Sequence, residues 1–487
     1  MFLRIIGCGL FLVALTFSSS AFASGFFVAR FGGAHGHPTT TNATAMYYNP
    51  AGIAFAGKTQ LHLEGIFAKR TFTYVRPESA VTNILEAGDT GQGTPREYLH
   101  ANTGEGKVDN ILGSPFIGAS SNFGIEGFGA GISIYGPIGG VSIFDKADGI
   151  TEPALTGAQD GPARWWSIEG TIRSVYLTAT AAYKLPSTNL AFGISLNGVL
   201  SQVDSLRAKT APNDDNVVTR LDCDDEAGPE CDRPYEGRSY AKVQALEPAL
   251  GLGILWQPMA KLKVGLSYQS APNFGDSELK GDGQLLVGGD DFADPNRPEA
   301  NPKIKFHQSL PDVIQWGFAY KPTEALELRL SGNYIRWSLF EQQCIAKEEA
   351  ADTCAGDDAE GNVLLVIPRD WEDGYALRLG GSYWVNKDLE VILDLGYDSN
   401  AVPDSRLDPA LFDTTKQTVG AGAYYNPMDG MTLGLVYTQV LYDDRDIAVE
   451  DSSNQPNSAG AYSQSIGVLN ASIEYAFGGK TIAAALA

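Results

Sequence analysis

Few residues in this sequence are arranged for bond-breaking chemistry. The 487 residues include only five histidines. His35 and His37 flank one glycine but have no third ligand at metal spacing, so they read as a polar surface rather than a metal centre. A serine nucleophile would have to recruit His62 or His307, and no serine sits in a Gly-x-Ser-x-Gly elbow. We therefore expect no enzyme activity, no cofactor and no metal. Beyond residue 23, four cysteines fall in two close pairs, Cys223 with Cys231 and Cys344 with Cys354, with no Cys-x-x-Cys spacing. In an oxidising compartment such pairs predict two short-loop disulfides.

Export is what the first residues predict. Arg4 precedes the apolar run Ile5 to Phe17, and the segment closes on Ala21-Phe22-Ala23, so residues 1–23 read as a signal peptide and Ser24 as the mature start. Cys8 lies inside the apolar run, which argues against a lipid-modified N-terminal cysteine. That run is too short to span a bilayer as a helix, and no later stretch approaches the roughly 18 to 20 apolar residues a helix needs. Net charge is −23, with acidic clusters at Asp222–Glu226, Asp290–Asp294, Glu348–Glu360 and Asp443–Asp451. These read as solvated external loops or as divalent-cation bridges to anionic surface sugars, and nucleic acid is a poor partner for them.

Alternation with period two dominates the rest. Leu389, Val391, Leu393, Leu395 and Tyr397 oppose Glu390 and Asp394; Leu433, Leu435 and Tyr437 oppose Thr432 and Thr438; Leu469, Ala471 and Ile473 oppose Asn470 and Glu474. Lipid outside and water inside would select this pattern, whereas a soluble sandwich would carry charges on its outer face. Every second connection is short and follows an aromatic residue: Tyr183, Trp256, Tyr320, Trp384 and Tyr425. These fit periplasmic turns beside an aromatic girdle, with long polar loops at about 206–238, 277–303 and 341–369 facing outward. Fourteen strands are expected at 59–75, 114–123, 127–137, 169–184, 189–205, 239–256, 261–275, 304–320, 325–340, 371–384, 388–398, 414–425, 431–442 and 463–477. The fold class is all-β, an antiparallel transmembrane barrel over residues 59–477. The 24–58 segment before it is too long for a lead-in and has short-helix and turn character, which suits folding into the lumen.

Tyr48-Asn49-Pro50-Ala51-Gly52 lies shortly after the cleavage site; Ser309-Leu310-Pro311, Trp316-Gly317-Phe318-Ala319-Tyr320, Arg336-Trp337-Ser338-Leu339-Phe340 and Trp371-Glu372-Asp373-Gly374-Tyr375 follow in order. In these words and their order the chain resembles the FadL/TodX (OmpP1) family of outer-membrane channels for hydrophobic compounds. The resemblance implies an N-terminal hatch with Asn49, Pro50, Ala51 and Gly52 at its gate, an internal pocket, and passive uptake of long-chain fatty acids or aromatic hydrocarbons in a Gram-negative outer membrane. It also implies a kinked third strand that opens the wall sideways. Here that strand is Gly127 to Tyr135, with Phe128, Gly129 and Gly131 as its marker residues; its glycines equally suit a crowded lumen beside the plug.

A cargo carboxylate would call for a lumen cation, and strand parity puts Arg329 and Arg378 there, where they also suit balancing Glu327 and Asp394. The expected partners are hydrophobic small molecules, outer-membrane lipid and lipopolysaccharide, with a monomeric barrel. A polar-solute porin and a surface adhesin or phage receptor are the alternatives. Residues 478–487 form a tail after the last aromatic, Phe477, where such barrels usually finish.

Overall fold

The computed structural model describes residues 30–210, 212–222, 231–286, 302–349, 354 and 362–478. The expected signal peptide 1–23, Cys223 and residues 479–487 of the tail lie outside the described residues.

The alternating segments build a closed antiparallel barrel of fourteen strands: β1 (Thr59–Arg76), β2 (Gly104–Ser121), β3 (Phe128–Ile143), β4 (Glu169–Leu185), β5 (Leu190–Lys209), β6 (Gly237–Met259), β7 (Leu262–Gln269), β8 (Val313–Thr323), β9 (Leu326–Ile335), β10 (Gly374–Trp384), β11 (Leu389–Asp398), β12 (Lys416–Met428), β13 (Met431–Tyr442) and β14 (Gly460–Phe477). β1 closes the ring by pairing with both β2 and β14. Each of the fourteen strands is paired on both sides, which is what a hydrocarbon environment demands of backbone N–H and C=O groups.

Burial follows the parity of the sequence. Along β11 Val391, Leu393, Leu395 and Tyr397 point outward and are exposed, while Glu390, Ile392 and Asp394 point inward and are buried. A soluble protein would hide those leucines; here they meet lipid. Several boundaries differ from the sequence expectation: β3 runs to Ile143 rather than 137, β7 stops at Gln269 rather than 275, and β9 stops at Ile335 rather than 340. β2 begins at Gly104 rather than 114, because Glu105, Lys107 and Asp109 pair with β1 above the apolar band, where outward residues need not be apolar. The segment expected at 304–320 is two pieces, Lys303–Gln308 and β8, parted by Ser309-Leu310-Pro311-Asp312; Pro311 cannot donate to a ladder. The aromatic that faces outward at the end of β10 is Tyr383, and Trp384 turns inward, its ring 4.5 Å from Lys321 Nζ.

Above the band, Glu278–Leu286, Lys303–Gln308, Gln342–Lys347 and Val363–Pro368 extend the sheet outward. A small sheet of Ile84–Leu85, Gly91–Pro95, Val218–Arg220 and Asp232–Pro234 lies in the loops that cover the lumen. Buried ions hold these loops. Arg76 pairs with Asp215 at 2.7 Å and Arg164 with Glu236 at 2.8 Å. Asn102 links both, receiving Arg164 and Trp165 on Oδ1 and donating to Asp215 O. Removing one member would strand a buried charge at a cost of about 3 to 5 kcal/mol. The core beneath is aromatic: Phe72, Tyr74, Phe116, Tyr135, Trp165 and Tyr462 fill the upper lumen. The structure joins Cys344 to Cys354 in a disulfide, and Cys231 is also disulfide-bonded.

Candidate functional site

The segment after Arg30 folds inside the barrel rather than along it. A 3-10 turn (Gly33–His35), a short helix (Ala45–Tyr48) and a second 3-10 turn (Pro50–Phe55) carry small residues that pack at close range, and Ala43, Ala45, Ala51 and Asn49 are fully buried. Pro50 starts its turn with φ already set, and Asn49 caps it, accepting Ala51 N–H at 3.2 Å. The Asn49 amide also donates to Pro38 O at 2.8 Å and to Ile254 O, on β6, at 2.9 Å. One side chain thus ties two parts of the hatch to each other and to the wall. Gly52 has no room for a Cβ, which would fall on Thr40 O.

On one side the hatch meets glycines. A Cβ on Gly193 or Gly253 would overlap Ala51 N or Asn49 Oδ1, and one on Gly265 would overlap Pro38 O. Gly129 and Gly131 belong to the same surface: a Cβ there would stand 2.6 Å from Ile53 O and 2.8 Å from Met46 Sδ, respectively. The hatch thus crowds Gly129, and at Gly131 it does so together with the wall's own Ala119 O, 2.6 Å from such a Cβ. Both lie in paired stretches, Gly129 opposite Ala182 and Gly131 opposite Ser120.

Ladder pairing between β2 and β3 lapses higher on β3. β2 and β3 pair only from Phe116–Tyr135 down to Ser121–Ala130, and the β3–β4 register slips between Tyr135 and Ile138. Gly136-Pro137 sits at the slip, a strand-breaking dipeptide that sequence reasoning passed over in favour of the glycines below it. Above it β3 turns into the lumen and is buried on both faces from Pro137 to Ser142. Side chains cross the parted edges: Ser114 Oγ donates to Gly136 O, and Arg70 and Asn110 both donate to Val141 O.

On its other side the hatch meets charge. Arg30 pairs with Asp394 at 2.5 Å and donates to Thr418, and His35 lies 2.8 Å from Glu390 while stacking on Tyr424 at 3.8 Å. Gly32 N–H donates to Glu64 at 2.6 Å, and Asn42 donates to Glu474 at 3.1 Å. Arg378 holds Asp398 through two bonds of 2.8 and 2.9 Å, and Arg329 lies 3.3 Å from Glu327. Both arginines face the lumen and line a polar cavity of about 70 Å³ between hatch and wall, where they neutralise wall carboxylates.

A larger cavity, of about 240 Å³, lies above the hatch under the loops. Trp166, Ile172, Val203, Phe306, Ile345 and Leu365 give it an apolar lining. Arg207 also lines it; its side chain makes no hydrogen bond or ion pair to any described residue, its Nε is buried without a partner, and the nearby Asp408, engaged by Arg369, offers it attraction without contact. Its neighbour Arg369 is satisfied by Asp408 at 2.6 Å and by Gln343. The sequence reading left residue 207 in the outward loop 206–238; the strand in fact runs on to Lys209 and turns Arg207 into this cavity.

Residues 14–477 match the family model described as outer membrane protein transport protein (OMPP1/FadL/TodX). A putative outer membrane protein of Neisseria meningitidis serogroup B is 23% identical over 233 residues, which is 46% of this chain and 49% of that relative. A Pseudomonas aeruginosa FadL homologue superposes with a TM-score of 0.70 at 17% identity, covering 94% of this chain and 100% of that one. The P. putida toluene transporter TodX does so at 0.56 and 14%, covering 94% and 98%, and the CymD monoaromatic hydrocarbon channel at 0.59 and 13%, covering 94% and 100%. At such identities the superpositions establish the plugged-barrel fold, while the family match spans hatch and barrel together. The chain belongs to the OMPP1/FadL/TodX family, outer-membrane channels for hydrophobic compounds in Gram-negative bacteria.

Proposed function

We propose that the cargo is an amphipathic molecule of the fatty-acid class, held in the 240 Å³ cavity with its carboxylate on Arg207, and that it leaves sideways where β2 and β3 part. The observation that carries this reading is the unpartnered Arg207 in an apolar-lined cavity. Such a group is costly without a counter-charge, and a carboxylate supplies charge-assisted bonds while its chain leaves water at about 25 cal/mol per Å². A monoaromatic hydrocarbon, the cargo named for TodX and CymD, would fill the apolar space but leave the guanidinium unpaired. Passage to the wall would follow the buried upper half of β3, away from the charged seam beneath.

Binding of dodecanoate and of toluene to the purified protein tests this. Arg207→Gln should weaken dodecanoate by about tenfold or more, the worth of a hydrogen bond to a charged group, and leave toluene unchanged. Toluene bound more tightly than dodecanoate, with Arg207→Gln indifferent for both, would transfer the assignment to neutral hydrocarbons.

A further inference from the structure

The outer wall of β4, β5 and β6 changes character within a single row of residues. Register places Val175, Leu200 and Leu246 side by side, all pointing outward, and Leu246 is 74% exposed, as a lipid-facing leucine should be. The next outward row is Arg173, Gln202, Gln244 and Lys280, and the row above it is Thr171, Asp204, Lys242, Asp282 and Lys303. Two residues of strand separate successive rows, about 7 Å. The apolar band thus ends against four cations, at the end of the barrel that carries the long loops and therefore faces outward. The surface there is concave and holds a cleft of about 400 Å³ bordered by Arg173, Lys242 and Lys280.

These cations stand out in a chain of net charge −23. On the opposite wall the outward positions Gln417, Gln439, Ser463 and Ser465 are uncharged. Arg173 donates to Gln202 and Lys303 pairs with Asp282, while the ion pairs of Lys242 and Lys280 are long or exposed. Lys242 lies 4.0 Å from Asp204 with both side chains largely in solvent, and Lys280 lies 3.1 Å from Glu278. Exposed pairs of this kind contribute little, so an incoming anion displaces them at low cost.

We propose that this cleft binds the phosphorylated head of an outer-leaflet glycolipid, with phosphate oxygens on Arg173, Lys242 and Lys280 and acyl chains against Leu200 and Leu246. The occupant follows from position and charge together. Only a membrane lipid presents its anionic group one residue row above a hydrocarbon surface, and the outward leaflet carries its phosphate on a glycolipid. Asp204 and Asp282 within the cleft suit the divalent cations that accompany such heads. This surface is separate from the lumen cavity, so the proposal stands or falls independently of the cargo.

The test is native mass spectrometry of the full-length protein in detergent with bisphosphorylated lipid A. The triple variant Arg173→Gln, Lys242→Gln, Lys280→Gln should bind it at least about tenfold more weakly, given roughly 1 kcal/mol per cation near a membrane surface. The control Lys69→Gln, Lys387→Gln, which removes exposed cations elsewhere, should bind as the parent does. In the unaltered protein, dephosphorylated lipid A should be lost from the same titration, and 0.5 M salt should weaken the bisphosphorylated form, a comparison that does not depend on any variant folding. Equal binding by the triple variant, or indifference to the phosphates, overturns the assignment.

Discussion

Asn49→Ala should loosen the hatch while leaving the barrel closed. The side chain makes three hydrogen bonds: two inside the hatch, to Pro38 O and from Ala51 N–H, and one to the wall, at Ile254 O. Only the wall bond is lost on undocking, at about 1 kcal/mol net, or roughly fivefold in the open population. No strand pairing is touched, because Asn49 lies outside the ladder. The readout is labelling of a cysteine placed at the fully buried Ala43 by a membrane-impermeant maleimide, whose rate follows the open fraction when opening is fast. Thr39→Val, which removes one contact within the hatch, to His37 Nδ1 at 2.7 Å, should leave the rate nearly unchanged. A rate unchanged by Asn49→Ala in a barrel that still shows heat-modifiable migration would refute the anchoring role and leave the hatch held by its charged side alone.

Leu393→Arg puts a charge on the lipid face at mid-strand and should cost about 2 to 4 kcal/mol in folding titrations in lipid vesicles. Ile392 is a poor inward comparison, because it packs with Tyr424, Val436 and Ala34 of the hatch; Ser331→Arg, which enters the polar 70 Å³ cavity, should cost less, and the reverse order would overturn the register. Peptide mapping without reduction should recover Cys344 joined to Cys354 and Cys231 joined to Cys223. Any other partner for Cys231 would mean that loop 210–236 is stapled to a different part of the surface.

The barrel was legible because lipid and lumen impose opposite demands on adjacent residues, and Leu393 beside Asp394 states both. The same logic fails where the wall leaves the membrane. From Gly104 to Asn110 the outer face carries Glu105, Lys107 and Asp109, so half of β2 was read as loop. Parity placed Arg329 and Arg378 correctly in the lumen, yet Asp398 became the partner of Arg378 only through the offset between β10 and β11, which no single strand reveals. Glycines carry still less. Gly129 and Gly131 admit a wall opening or a close approach equally well, and only the position of Ile53 and Met46 separates the two. Arg207 was missed because β5 was expected to end at 205, and because an unpartnered side chain is a statement about every neighbour at once.

The two sides of the hatch differ in what their separation costs. Against Gly193, Gly253 and Gly265 the contact is backbone on backbone, at distances that exclude even a methyl group, and parting these surfaces gains nothing until a layer of water fits between them. Against β11 to β13 ions, Arg30 with Asp394 and His35 with Glu390, flank a small apolar contact of Ala34 with Ile392, Tyr424 and Val436, beside a cavity already lined with polar groups. Water entering there hydrates each charge as its partner leaves, so displacement on this side meets a graded resistance rather than an all-or-none one. The hatch is therefore hinged in energy even though it is packed on all sides: its tight face borders the strand whose upper half turns into the lumen, and its yielding face lies across the barrel from it. If cargo takes the proposed route along β3, it meets the tight face first, and a displacement that relieves the contact would run toward the charged seam.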